Sequence, residues 1–172
     1  MNRPGNDRPA AGPRPFAPLV LLVEDNPSDV QLTRRAFART CAAAVVEVVR
    51  DGQEALDYLF RTGTFVSRLA DRDPDLVLLD LKLPRIEGLA VLQAVKGDAR
   101  TRGIPVVVLS TSVAQLDLAA AYAAGANSCL QKPLDYPVFQ EMIGTLARYW
   151  LELNEPPRGR GDRTVQGGAH GR

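Results

Sequence analysis

The chain has 172 residues, 45% hydrophobic and 24% charged, enough for one domain with a real core and too few for two ordinary domains once polar ends are set aside. Its 21 basic and 20 acidic side chains nearly cancel, so the basic excess that points to nucleic acid is missing, and no apolar run approaches the ~20 residues that span a bilayer. Cys41 and Cys129 form no C-x-x-C pair and His170 is the single histidine, which argues against a disulfide framework and against a Cys/His zinc site.

Residues 1–17 are rich in Pro, Arg, Gly and Asn and read as a disordered tail without the apolar middle of a secretion signal. A cytoplasmic location is expected. The folded part is expected over residues 18–155, opening with a strand at Leu19–Val23 and a helix from Pro27 that carries Val30, Leu32 and Phe37. A second strand follows at Val45–Val49, and a second helix at 53–60 carries Ala55, Leu56 and Leu59 at helical spacing. Strands at 76–79, 106–109 and 128–130 alternate with helices at 87–96 and 114–124, and a fifth helix starts near Tyr136-Pro137. Residues 156–172 repeat the tail composition. Several strand runs are apolar at consecutive positions, as in strands buried on both faces of a parallel sheet. The order βαβαβαβαβα predicts a doubly wound α/β domain with helices on both faces.

In open parallel sheets the ligand lies beyond the carboxyl ends of the strands, at the point where strand order reverses. Glu24 and Asp25 follow the first strand, Asp80 the third and Ser110 the fourth, and Lys132 comes just after the fifth. Singly, each is an ordinary polar residue at a strand-to-loop transition. Together, three carboxylates on one rim repel one another and call for a bound cation or protonated partners. Oxygen-only ligands suit Mg²⁺ or a similar hard ion. Ser110 and Lys132 can satisfy phosphoryl oxygens while one carboxylate attacks phosphorus, so the set reads as an aspartyl-phosphate site.

The runs Val23-Glu24-Asp25-Asn26-Pro27, Leu78-Leu79-Asp80-Leu81-Lys82-Leu83-Pro84, Leu109-Ser110-Thr111 and Gln131-Lys132-Pro133 resemble the receiver domains of two-component response regulators. Ser110 lies 30 positions after Asp80 and Lys132 lies 22 after Ser110, as that family's pattern requires. Pro84 and Gly88 fall at its loop positions. The resemblance implies a flavodoxin-like, doubly wound five-stranded parallel sheet with strand order 2-1-3-4-5 and five helices. It implies Asp80 as phosphoacceptor, with Mg²⁺ held directly by Asp25, Asp80 and the Lys82 backbone carbonyl and through water by Glu24. Lys132 would anchor the phosphoryl group, and Ser110 would move inward to hydrogen-bond it. Phosphorylation would add about −1.5 to −2 charges and shift the loop before the fourth helix. The implied partner is a sensor histidine kinase, and the protein itself is a phosphoacceptor, not an enzyme acting on others.

Three features depart from the pattern. Many receivers carry an aromatic residue three before the lysine, where this chain has Cys129. It is expected to be a small core thiol, leaving output switching to other residues, Tyr122 or Tyr136. Residues 61–73 form a long polar connection, and with Tyr58-Leu59-Phe60 before it this is similar to single-domain regulators that serve phytochrome-type histidine kinases. The last helix carries Phe139, Ile143, Leu146, Trp150 and Leu153 as a stripe widened by Val138, Met142 and Tyr149. At ~1.5 Å per residue a helix over 136–154 would be about 28 Å long and overhang strands of about 17 Å. A homodimer is therefore expected through the fourth helix, fifth strand and fifth helix and the C-terminal helix, with Phe139, Met142, Ile143, Leu146, Tyr149, Trp150 and Leu153 at its interface. The other reading is a helix folded back on its own domain. Lys82 and Ser112 stand two beyond Asp80 and Ser110, where the family controls access of water. Lys82 then screens the phosphoryl group, pairs with Glu24, or contributes only its carbonyl.

Other functions fit less well. A flavodoxin-type electron carrier needs a phosphate-binding loop after the first strand, and Glu24-Asp25-Asn26 would repel that anion. An aspartyl phosphatase of the haloacid-dehalogenase type, Mg²⁺-dependent as well, needs a second acid where Lys82 stands. A histidine kinase would need a Gly-rich nucleotide motif that the chain lacks. Fewer than 20 residues follow the last helix, too few for a DNA-binding helix-turn-helix. A phosphate sink and a degenerate interaction module remain as alternatives, although all five site positions are retained.

Overall fold

In the computed structural model, which describes residues 16–66, 72–111 and 118–155, every strand expected from the apolar runs is present. The elements are β1 (Leu19–Val23), α1 (Pro27–Thr40), β2 (Val45–Val49), α2 (Gly52–Phe60), β3 (Leu76–Asp80), α3 (Gly88–Gly97), β4 (Val106–Ser110), α4 (Leu118–Ala123), β5 (Ser128–Gln131) and α5 (Tyr136–Ala147). A short 3₁₀ turn, Gly63–Phe65, follows α2, and Arg148–Leu153 extends α5 as a π-helix. The sheet is parallel with order β2-β1-β3-β4-β5, the 2-1-3-4-5 arrangement expected. β3, β4 and β5 each run one residue further than the apolar pattern marks, because Asp80, Ser110 and Gln131 still pair in the ladder. The helix expected over 114–124 appears among the described residues as Leu118–Ala123, and Ser112 lies outside them. The two expected tails, 1–17 and 156–172, fall almost entirely outside the described residues as well.

Alternation along the strands divides the core in two. In β1, Leu21 and Val23 point to one face while Val20 and Leu22 point to the other. The first face packs against Ala55, Tyr58 and Leu59 of α2, Val91, Leu92 and Val95 of α3, and Ala121 of α4. The second packs against Val30, Ala36 and Phe37 of α1 and Phe139, Ile143 and Leu146 of α5. Central β1, β3 and β4 are buried along their whole length, whereas the edge strands β2 and β5 are partly exposed. Glu47 within β2 is the kind of charge that discourages edge-to-edge pairing.

Local chemistry fixes where the helices begin. The Asn26 carboxamide accepts the Ser28 and Asp29 amides and Pro27 occupies the first turn, so α1 starts directly at the end of β1. Asp51 accepts the Glu54 amide and so caps α2, while the Glu54 carboxylate accepts the Arg50 amide one residue before that cap. Asp135 caps α5 through the Val138 amide. Arg61 closes α2 in the left-handed region, at φ 57°, and its guanidinium meets Asp73 at 3.3 Å across the long connection. Among the described residues no helix is long and apolar enough to cross a membrane.

Three residues expected at a subunit interface are placed differently. Phe139, Ile143 and Leu146 are buried in the chain's own core against the α1 side of the sheet, Ile143 at 0% exposure. A hydrophobic stripe on a helix does not reveal which of its edges the parent domain covers. The exposed part of the stripe is Val138, Tyr149 and Leu153.

Candidate functional site

The chain leaves β1 toward β2 on one side and returns at β3 on the other, so the crevice of reversal opens between β1 and β3 at their carboxyl ends. Glu24 follows β1 directly and is buried, with its amide held by the Val49 carbonyl at 3.0 Å. Asp80 closes β3 and is also buried. Ser110 closes β4, and its carbonyl accepts the Lys132 amide at 2.7 Å, which carries the lysine to the same rim. Four of the five residues expected from sequence are therefore buried within one small region: Glu24, Asp80, Ser110 and Lys132. Asp25, the fifth, is exposed on the rim.

The centre of the site is the Lys132 ammonium. It donates to Asp80 Oδ2 at 2.7 Å, Glu24 Oε2 at 2.5 Å and Asp29 Oδ2 at 2.9 Å. The remaining oxygens of the two buried acids are engaged by backbone: Asp80 Oδ1 accepts the Lys82 amide at 2.8 Å and Glu24 Oε1 accepts the Asn26 amide at 3.1 Å. Burial works against the Lys132 charge, yet its bonds to Asp80, Glu24 and Asp29 outweigh that and hold the ammonium above the usual lysine range. Burial pushes the Glu24 carboxyl up, an effect that the Lys132 hydrogen bond only partly offsets. Lys82 is exposed, and it is Lys132, not Lys82, that pairs with Glu24. Sequence reading missed Asp29. The available signal was its place in the first turn of α1, three residues after the N-cap Asn26, where a side chain leans back toward the helix start and the rim.

The donor set suits a hard cation. Three carboxylates share one ammonium, which leaves two formal negative charges uncompensated, and the ligand atoms offered are all oxygens. Among the described residues the acids are gathered on Lys132, and no group of three or more His, Cys, Asp or Glu already stands in metal-ligand geometry.

The loop that carries Asp80 onward is clamped from two sides. A Cβ on Gly88 would collide with the Asp80 carbonyl oxygen, and one on Gly52 with that of Ile86, so both positions require glycine for close backbone approach. Arg85 lies in the left-handed region, at φ 68°, and its guanidinium bonds Asp51 at 3.2 Å, tying the loop after β3 to the loop after β2.

Toward the β5 edge the chemistry changes. Cys129 is half-buried; burial pushes its thiol up, and a hydrogen bond with Tyr122 of α4 pulls the other way. On the opposite face of β5, Leu130, Val138, Met142, Leu146, Tyr149 and Trp150 line an open groove of about 640 Å³ against α5. Tyr149 and Trp150 meet edge to face at 5.0 Å.

Residues 20–144 match the response regulator receiver domain family. The probable methanogenesis regulatory protein FilR2 of Methanothrix harundinacea is 41% identical over 143 residues, covering 81% of this chain and 87% of FilR2. Response regulator Rcp1 of Synechocystis is 32% identical over 134 residues, covering 78% and 89%, and its Mn²⁺-bound crystal structure superposes with a TM-score of 0.74 over 81% and 99% of the two chains. The phosphorylated cyanobacterial phytochrome response regulator RcpA is 35% identical with a TM-score of 0.75, over 81% and 98%.

Proposed function

The chain belongs to the response regulator receiver family, and from that premise we propose that it is a phosphorylation switch in which Asp80 accepts a phosphoryl group from a histidine kinase and the response is a change in protein association. The observation that carries this reading is the buried Asp80 carboxylate held 2.7 Å from the Lys132 ammonium at the switch point of the sheet. Domain limits of 18–155 go with it, as does a cytoplasmic location, where such kinases present their phosphohistidine.

The chemistry follows from the residues present. An Asp80 carboxylate oxygen attacks phosphorus, the O–P bond forms, and the P–N bond to the kinase histidine breaks with its electron pair leaving on the imidazole. Lys132 sits where it can hold one phosphoryl oxygen by a charge-assisted bond, and Ser110, closing the neighbouring strand, is the candidate for a second. Asp25, Asp80 and the Lys82 carbonyl would hold Mg²⁺, with Glu24 reaching it through water. Such an ion, when bound, supplies positive charge against the phosphoryl oxygens as negative charge spreads over them. Support for the cation comes from the two uncompensated charges of the acid cluster and from the metal-bound structure of Rcp1.

A kinase of phytochrome type is favoured by the likeness to RcpA, a phytochrome response regulator, and by the long connection after α2. For output we propose a homodimer through α4, β5 and α5, with Met142, Tyr149, Trp150 and Leu153 at the seam. Support comes from the groove and from Tyr149 and Leu153 at 52% and 61% exposure at its far end.

Incubation with a small phosphoryl donor and Mg²⁺ should place acid-stable, base-labile phosphate on the wild type and none above background on Asp80→Asn. Equal labelling of the variant would refute the acceptor assignment.

A further inference from the structure

A lysine ammonium has three N–H donors and no more, and all three on Lys132 are occupied, by Glu24, Asp29 and Asp80. A phosphoryl oxygen on Asp80 that is to be held by Lys132 must therefore take a donor from one of these acids. Asp80 becomes the acyl phosphate and stays in place. Glu24 is 3% exposed and fixed at its other oxygen by the Asn26 amide, so its release would strand a buried carboxylate. Asp29 differs on every count: it is 24% exposed, its bond is the longest of the three, and it lies in the first turn of α1. Once released it meets water, and the amino end of the helix still favours its charge. A phosphoryl group arriving with its own negative charge adds repulsion that pushes in the same direction.

We infer that Asp29 is an anionic placeholder: it fills the hydrogen-bonding position on Lys132 that a phosphoryl oxygen on Asp80 takes over, and the ease of its displacement governs how readily the site is loaded. Asp29 is thus a positioning residue acting through Lys132. No bond to it forms or breaks beyond the N–H···O contact that the phosphoryl oxygen inherits. The inference rests on Asp80 being the acceptor.

The test uses the full chain at saturating Mg²⁺ and beryllium trifluoride as the phosphoryl probe, with binding followed by NMR at the Lys82 amide and at the Lys132 ammonium. Helix capping stays with Asn26 in Asp29→Ala and Asp29→Asn, so both variants keep the start of α1. Asp29→Ala should bind the probe about three- to tenfold more tightly, the span between a part-exposed ion pair and a full charge-assisted bond. Asp29→Asn, which keeps an acceptor oxygen without the charge, should fall between it and wild type. In the unloaded variants the Lys132 ammonium protons should exchange faster with water, a signature that a merely structural role would not produce. Mg²⁺ titrated alone should bind Asp29→Ala no more tightly than wild type, so a gain in probe affinity cannot come from the cation. Equal or weaker probe affinity in Asp29→Ala, with wild type binding normally, overturns the placeholder alone. A wild type that takes neither beryllium trifluoride nor phosphate overturns the acceptor reading as well.

Discussion

The two ends of the β5 strand face different physics. At its carboxyl end the rim gathers Lys132 and three acidic side chains into a largely buried network in which nearly every carboxyl oxygen accepts a hydrogen bond. Along its open edge the groove against α5 offers aromatic and aliphatic surface with few polar groups. The rim is specified by chemistry, because only certain residue types at certain strand ends can balance so much charge. The groove is specified only by shape and apolarity, which many residues could supply. The proposed switch writes at the first and is read at the second, and substitutions can show whether the two behave as separately as their contacts suggest.

The largest effect should come from removing the rim's cation. Lys132→Met leaves three carboxylates without their shared partner, two of them buried, and should destabilise the fold by about 3–5 kcal/mol in urea unfolding at pH 7. Because the folded-state pKa of Lys132 is raised, its contribution is full below the ordinary lysine value of 10.5 and is lost as pH rises beyond it. The difference between wild type and Lys132→Met should therefore stay flat from neutral pH to near that value and shrink above it. A loss under about 1 kcal/mol, the range of exposed pairs, would mean that the network is no stronger than a surface salt bridge.

Gly88→Ala comes next. The added methyl meets the Asp80 carbonyl oxygen, and overpacking of this kind costs about 1–3 kcal/mol. Phosphate labelling should fall with it, since the backbone beyond Asp80 has to move. Unimpaired labelling would separate the loop's shape from the reaction. The double substitution Tyr149→Ser, Leu153→Ser should change stability by no more than about 0.5 kcal/mol per site while shifting light-scattering mass toward the monomer. If the wild type scatters as a monomer with and without phosphoryl donor, the groove is no self-association surface. The smallest effect concerns Cys129: its raised pKa predicts slow alkylation at pH 7.5, and Tyr122→Phe, which removes the bond that lowers that pKa, should slow it further. Faster alkylation in the variant would mean that Tyr122 shields the thiol more than it tunes it.

The contrast between rim and groove also explains what the amino-acid sequence disclosed. Strand positions, the alternation with helices and the placing of Glu24, Asp80, Ser110 and Lys132 on one rim were readable, because apolar runs bounded by polar residues at fixed intervals have few other meanings. Asp29 was not read, since a carboxylate in a first helical turn is ordinarily a solvated dipole partner; only the fold turns it toward Lys132. Phe139 and Ile143 were assigned to a seam because a 3.6-residue stripe carries no sign for inside or outside. The π-helical turn at Arg148–Leu153 escaped for a related reason: hydrophobic spacing of three and four fits either winding, and the wider turn is fixed by local packing.

The amide of Lys132 is bound to the carbonyl of Ser110, a bond that first served only to place the lysine on the rim. It also means that the hydroxyl and the ammonium hang from one short length of ladder. A slip of β5 by a single residue would misplace the lysine and break its attachment to the serine in the same stroke. An insertion or deletion between Ser110 and Lys132 would have to leave that bond in place to keep both groups on the rim. The spacing of 22 positions thus has one structural duty, to bring β5 back into the register that this bond sets.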